Sequence, residues 1–214
     1  ADTGRYTLDM MLDVPAIQAA LREDGLDGWL WFDFRGSNPI ARKMAGLDTS
    51  GKMTTRRWYY LVPADGEPRK LVHNIERYNL DHLPGLTHIY SRRDTLAAGL
   101  DTLLHGCRRV AMEYSPGCAI PYLSRVDAGT LEAVRERGVE VMGSGDLAQR
   151  FEARWSAEAY EGHQVASAAL YRIKDRAFAE VRRRLRDGVA ATELDIQRLM
   201  LQWFDEEGLV SDST

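Results

Sequence analysis

The five histidines, His73, His82, His88, His105 and His163, are the first residues to weigh for metal chemistry, and none falls in HExxH or HxH spacing. His105 sits at an expected helix end, where the macrodipole favours an imidazolium, and all five read as structural. The carboxylate pairs Glu206-Glu207 and Asp65-Glu67 fall in turns or at helix ends and read as solvated charge. No GxxxxGK[ST] phosphate loop is present, and Gly143-Ser144-Gly145 lacks the rest of a GxGxxG fingerprint, which leaves a tight strand-to-helix turn. A GxSxG elbow is also missing, and Ser115-Pro116-Gly117-Cys118 reads as a turn rather than a thiol site.

Two clusters stand out. Arg56-Arg57-Trp58-Tyr59-Tyr60 loads guanidinium, indole and phenol groups onto one expected strand. Alternation puts Arg57 and Tyr59 on one face and Arg56, Trp58 and Tyr60 on the other. Such a strand can offer a carboxylate clamp beside an aromatic wall, or can simply pack. Arg182-Arg183-Arg184-Leu185-Arg186 is basic, but on a helix its arginines spread around the axis beside Glu180 and Asp187, as a solvated face near a helix C-terminus.

Composition narrows the function classes. The chain has 214 residues, 44% hydrophobic and 28% charged, which suffices for a packed core. Its net charge of -4 gives no bulk reason to expect nucleic acid or an anionic membrane as partner. Apolar stretches are only a few residues long, against roughly 20 for a bilayer span. Residues 1–11 mix Asp2, Arg5 and Asp9 into apolar sequence without a leader pattern, so a cytoplasmic, soluble protein is expected. Cys107 and Cys118 are too few for a disulfide framework and read as unlinked thiols.

The elements that must position these residues follow from periodicity and punctuation. Asp13 with Pro15 opens a helix that Gly25 closes, and Trp29 to Phe34 reads as a strand covered on both faces. Trp58–Val62 and Lys70–His73 flank a Pro/Asp/Gly turn, as a hairpin. A strand at 88–90, a helix after Asp94 carrying Leu96, Leu100, Leu103 and Leu104, a strand at 109–113, a helix opened by Asp127 and a strand at 139–142 complete an α/β layer with a mixed sheet. Leu147, Phe151 and Trp155 are expected to share one helical stripe. Next comes a helix from Ala157 to Asp187, about 31 residues and some 46 Å long. A final helix starts at the Thr192/Asp195 capping box. Amphipathic stripes this long need a further surface to bury against, so the chain reads as one domain, 1–154, and the opening of another, 155–214.

In combination, these segments resemble a known family. The run from Ile17 to Leu30, Ser37-Asn38-Pro39, Ala45-Gly46-Leu47, the Trp58–Val62 strand with its Asp65-Gly66-Glu67-Pro68 turn, Glu113-Tyr114-Ser115-Pro116, Ile120-Pro121 and Val126 to Thr130 look like the creatinase-type N-terminal domain. Ser144 to Trp155, the long helix and Asp187-Gly188 with Thr192 to Asp195 resemble the entry into the catalytic pita-bread domain of Xaa-Pro peptidases, prolidase and aminopeptidase P. The resemblance implies a mixed sheet flanked by helices, followed by the first two helices of that domain. It also implies metal-dependent hydrolysis of the bond before proline, with two divalent ions (Mn, Co or Zn) held by two Asp, one His and two Glu. No residue here matches those ligands, so no catalytic or metal residue is assigned and this chain alone is expected to be inactive. The family further implies proline-containing peptides as substrates and a homodimer, with Arg57, Trp58 and Tyr59 as a strand bordering the substrate site. A catalytically silent protein- or peptide-binding relative and a creatinase-like amidinohydrolase are the alternatives.

Overall fold

The computed structural model describes residues 12–47 and 54–210, so the N-terminal stretch read for a leader lies outside the described residues. The chain divides into two compact units, Ala1–Arg154 and Trp155–Thr214.

In the first unit, α1 (Val14–Glu23) begins where Asp13 accepts from the Ala16 N–H at 3.0 Å, with Pro15 in the first turn. It ends before Gly25, whose φ of +64° suits a residue without Cβ. β1 (Gly28–Asp33) is buried along its whole length, as its aromatic run requires. The short α2 (Pro39–Met44) is a helix that periodicity did not reveal; Asn38 caps it by accepting from the Ala41 N–H at 3.1 Å. β2 (Trp58–Pro63) and β3 (Arg69–His73) form the hairpin, with Tyr59 opposite Leu71. β4 (Leu86–Tyr90), α3 (Arg93–Leu103), β5 (Arg109–Met112), α4 (Ala128–Arg135), β6 (Glu140–Gly143) and α5 (Gly145–Phe151) follow. Two boundaries differ from expectation. Asp94 lies inside the first turn of α3 instead of preceding it. The Leu147–Phe151 stripe stops with α5, because the backbone leaves the helix after Glu152 and Trp155 lies beyond it.

Among the described residues the strands make one six-stranded sheet in the order β4-β3-β2-β1-β5-β6. Only β2 runs against the others. The central pair β1/β2 is therefore covered on both faces. Trp29, Trp31, Trp58, Tyr60 and Val62 pack with Ile17, Leu21, Ala41 and Leu147 from α1, α2 and α5. Leu30, Phe32, Tyr59 and Leu61 pack with Leu100, Leu103, Leu131 and Val134 from α3 and α4. Each large side chain so buried contributes about 1.5–3 kcal/mol. Trp31 and Tyr60 stack at 5.1 Å, which locks the two strands' register. Gly85 enters β4 with φ +109°, and a Cβ there would lie 2.2 Å from the Pro68 carbonyl oxygen, so the hairpin and β4 meet at a backbone contact that only glycine permits.

The second unit holds α6 (Ala157–Arg186) and α7 (Glu193–Glu206). Ser156 caps α6, and Thr192 and Asp195 form the reciprocal box at the start of α7. Ile173 and Ala177 of α6 bury against Trp203 of α7, with Ile196, Leu199 and Met200 at the margin. Glu206 and Glu207, expected as solvated charge, lie at the surface in ion pairs with Arg176 and Arg172, at 3.0 and 2.6 Å. Arg183 and Arg184 both pair with Glu180, in keeping with a charge-laced solvent face. No helix among the described residues is long and apolar enough to cross a membrane.

Candidate functional site

The sheet topology brings one set of loops together. The carboxyl ends of β1, β3 and β4 and the start of β2 lie at the same edge, and α3 and α4 both begin there. Crevices outside the carboxyl ends of strands are where open α/β sheets take ligands. Here the crevice is a cleft of about 770 Å³ within the first unit. Phe34, Tyr59, His73 and Tyr90 form its sheet side, and Leu96, Ala97 and Thr130 part of its helix side. Five arginines, Arg56, Arg57, Arg92, Arg93 and Arg137, line it against two carboxylates, Asp127 and Glu136.

Several of these groups are committed to the fold. Arg92 pairs with Asp94, and Arg137 with Asp101. Asp127 caps α4 through the Thr130 N–H and accepts from its hydroxyl. Arg56, Arg57 and Arg93 have no carboxylate within ion-pair distance among the described residues. The Arg57 guanidinium lies 5.5 Å from the centre of the Phe34 ring, a cation–π contact that orients it without neutralising it.

The arginine-bearing backbone is held from two sides. Tyr90 donates its hydroxyl to the Arg57 carbonyl oxygen at 2.8 Å. Glu76 accepts from the N–H groups of Thr55 and Arg56 at 2.9 and 3.1 Å, from the Thr55 hydroxyl and from the Asn79 amide. Burial pulls the Glu76 pKa upward, but these hydrogen bonds outweigh it and hold the carboxyl below its ordinary value. Burial raises the phenol of Tyr59 far out of the physiological range, against the opposing charge of Arg57, and pushes Tyr90 up to about 12. Both remain neutral donors at pH 7. His73 accepts the Ile75 N–H at Nδ1, so its neutral form carries the proton on Nε2. Replacing Glu76 with alanine should destabilise the first unit by about 1–3 kcal/mol, the cost of orphaning its donors. A lowered carboxylate pKa contributes stability above the unfolded value of 4.5, and that contribution is lost as pH falls through the folded value. The gap between wild type and E76A in urea midpoint should therefore shrink on moving from pH 7 to pH 3.

Other chemistry-bearing groups are buried and saturated. Glu113 accepts from Trp29 Nε1 at 2.8 Å, Asn38 Nδ2 at 2.7 Å and Ser144 Oγ at 3.1 Å. Asp33 accepts from the N–H groups of Asn38 and Gly36 and from the Thr54 hydroxyl. Full burial raises the Glu113 pKa against those three donors. Sequence reasoning assigned no role to Asp33, Asn38, Glu113 or Ser144. The signal available for Asn38 was its position before Pro39, an N-cap pattern. Among the described residues no group of three or more His, Cys, Asp or Glu side chains is placed to hold a metal ion.

Of the three residues expected to border a substrate, the structure brings two together. Arg57 and Tyr59 line the cleft. Trp58 points the other way, into the core beside Tyr60 and Val62.

The first unit has the fold of a creatinase/prolidase N-terminal domain. Two solved structures share it: dipeptidase PepE from Mycobacterium ulcerans, at TM-score 0.56 and 18% identity over 91% of this chain, and the creatinase/prolidase N-terminal domain of an X-Pro dipeptidase from Streptococcus pyogenes, at 0.50 and 10% over 64% of this chain and 97% of that one. The chain spans 48% of the length of the Mycobacterium ulcerans dipeptidase, and likewise 48% of a prolidase from Pyrococcus horikoshii. No protein-family model matches the chain, and no curated protein matches it in sequence.

Proposed function

We propose that this chain is the front portion of a cytoplasmic, homodimeric, metal-dependent Xaa-Pro peptidase, acting on proline-containing peptides. The observation that supports the reading is a likeness that runs past the first unit: 91% of this chain aligns with less than half of a longer dipeptidase. In this reading the first unit serves assembly and borders the substrate site. Arg57 and Tyr59 present polar groups there, while Trp58 holds the strand from behind.

The residues present do not fit the divalent ions this activity uses. The buried carboxylates Asp33 and Glu113 each already accept three hydrogen bonds, and no group of three or more His, Cys, Asp or Glu is placed to hold a metal ion among the described residues. In this reading the activation of water by metal falls to residues of the catalytic domain beyond the described ones. The exposed apolar side chains of the second unit, Leu170, Phe178, Leu185 and Leu201 among them, fit a continuation of the fold that would cover them.

Sequencing the reading frame on both sides of this segment tests the proposal. Two Asp, one His and two Glu in catalytic-domain order downstream are expected. Non-ligand residues at those places would favour a silent binding relative and contradict the peptidase.

A further inference from the structure

The arginine cleft lies within the first unit, and three of its arginines, Arg56, Arg57 and Arg93, form no ion pair among the described residues. We infer that it binds a small amphipathic organic dianion, such as an aryl or alkyl phosphate ester, with its charged head on Arg57 and Arg93 and its apolar body against Phe34, Leu96 and Ala97. This does not rest on the peptidase reading.

Charge supplies the first reason. The chain as a whole is acidic, at -4, yet this cleft gathers five guanidinium groups and faces two carboxylates, one of them occupied in capping α4. Three of the guanidinia, those of Arg56, Arg57 and Arg93, find no carboxylate among the described residues, whereas Arg92 and Arg137 do. Unpaired like charges in one concave site repel each other and focus a positive potential where a ligand would sit. A dianion relieves that repulsion better than a monoanion, and the planar guanidinium fork suits a phosphate.

Preorganisation is the second reason. Glu76 and Tyr90 fix the backbone that carries Arg56 and Arg57, and Phe34 orients the Arg57 guanidinium, so little backbone entropy there remains to be lost on binding. The third reason is the cleft's composition: alongside the cations lie Phe34, Leu96 and Ala97, a partly exposed wall that a bare inorganic ion would leave uncovered. His73, whose Nδ1 accepts from the Ile75 N–H, lines the same cleft.

The test is calorimetric titration of the 214-residue chain with four probes: phenyl phosphate, inorganic phosphate, phenylacetate and phenol. Phenyl phosphate should bind at one site per chain and weaken with added salt, inorganic phosphate and phenylacetate should bind more weakly, and phenol should not bind. The double variant R57A/R93A should lose at least about tenfold in phenyl phosphate affinity while keeping the wild-type circular dichroism and melting temperature. The surface variant R183A, on α6, should bind as wild type. Absence of phenyl phosphate binding, undiminished binding by folded R57A/R93A, or phenylacetate or phenol binding as tightly as the ester would each overturn the inference. None of these outcomes bears on peptidase activity, so this inference and the function proposed above fail separately.

Discussion

Glu113→Ala is expected to lower the stability of the first unit by about 3–5 kcal/mol, read as the shift in its urea midpoint at constant slope. The carboxylate gathers donors from three parts of the chain: Trp29 on β1, Asn38 at the head of α2 and Ser144 after β6. Deleting it leaves the Trp29 and Asn38 donors buried without acceptors and opens a cavity beside them, while the Ser144 hydroxyl can rotate. Asn38 is also the cap of α2 and a donor to the Phe32 carbonyl, so its displacement spreads to the helix. Glu113→Gln should cost less, about 1–3 kcal/mol, because one acceptor survives but the new amide must point an N–H at an existing donor. The pH dependence has a definite sign. A raised folded pKa means that the folded carboxyl holds its proton more tightly than the unfolded one, so its contribution is greatest below the unfolded value of 4.5 and falls as pH rises through the folded value. The advantage of wild type over E113Q should therefore narrow on moving from pH 4.5 toward neutrality. A constant difference across that range would contradict the assignment.

Trp203→Ala should have a comparable effect on the second unit, about 3–5 kcal/mol. Its buried residues are Ala169, Ile173 and Ala177 on one helix and Trp203 on the other, so the indole is the centre of what α7 contributes to the contact, with Ile196, Leu199 and Met200 at its margin. The Arg176 guanidinium lies 4.5 Å from the centre of that ring, and its ion pair with Glu206 secures the same helix end. Truncating the indole removes its apolar burial and the contact with Arg176 and leaves the Arg176–Glu206 ion pair, too weak at the surface to hold the helix, so α7 should unravel with a measurable loss of helical circular dichroism. Trp203→Phe keeps an aromatic ring under Arg176 and should retain most of the signal. Full helicity in W203A would show that α7 is held by something other than this contact.

Much of the scaffold is legible in sequence because its signals are local. The Trp29–Phe34 run has no polar face, which is what a strand covered on both sides demands, and the Asp13, Asp127, Ser156 and Thr192/Asp195 caps each act within three residues. The misses are equally physical. α2 is too short to display a 3.6-residue stripe. Trp155 kept the spacing of Leu147 and Phe151, but spacing cannot register that α5 ends and a capped helix starts at Ser156. The candidate site was only half visible. Arg57 and Tyr59 announced themselves by type, whereas Arg92, Arg93 and Arg137 join them through the crossover of α3 and α4 onto one face of the sheet. The Glu113 cluster pairs residues up to 84 positions apart, and no local pattern encodes that.

The proposed function places this chain at the front of an Xaa-Pro peptidase whose chemistry lies on further residues. The most direct measurement is release of proline from an Xaa-Pro dipeptide, and of the first residue from a longer Xaa-Pro peptide, with Mn, Co or Zn added, by the 214-residue chain and by the protein encoded by its whole reading frame. Turnover by the whole protein and none by the chain is the expected result. Stoichiometric metal binding with turnover by the chain itself, or no cleavage of either peptide by the metal-loaded whole protein, would contradict it.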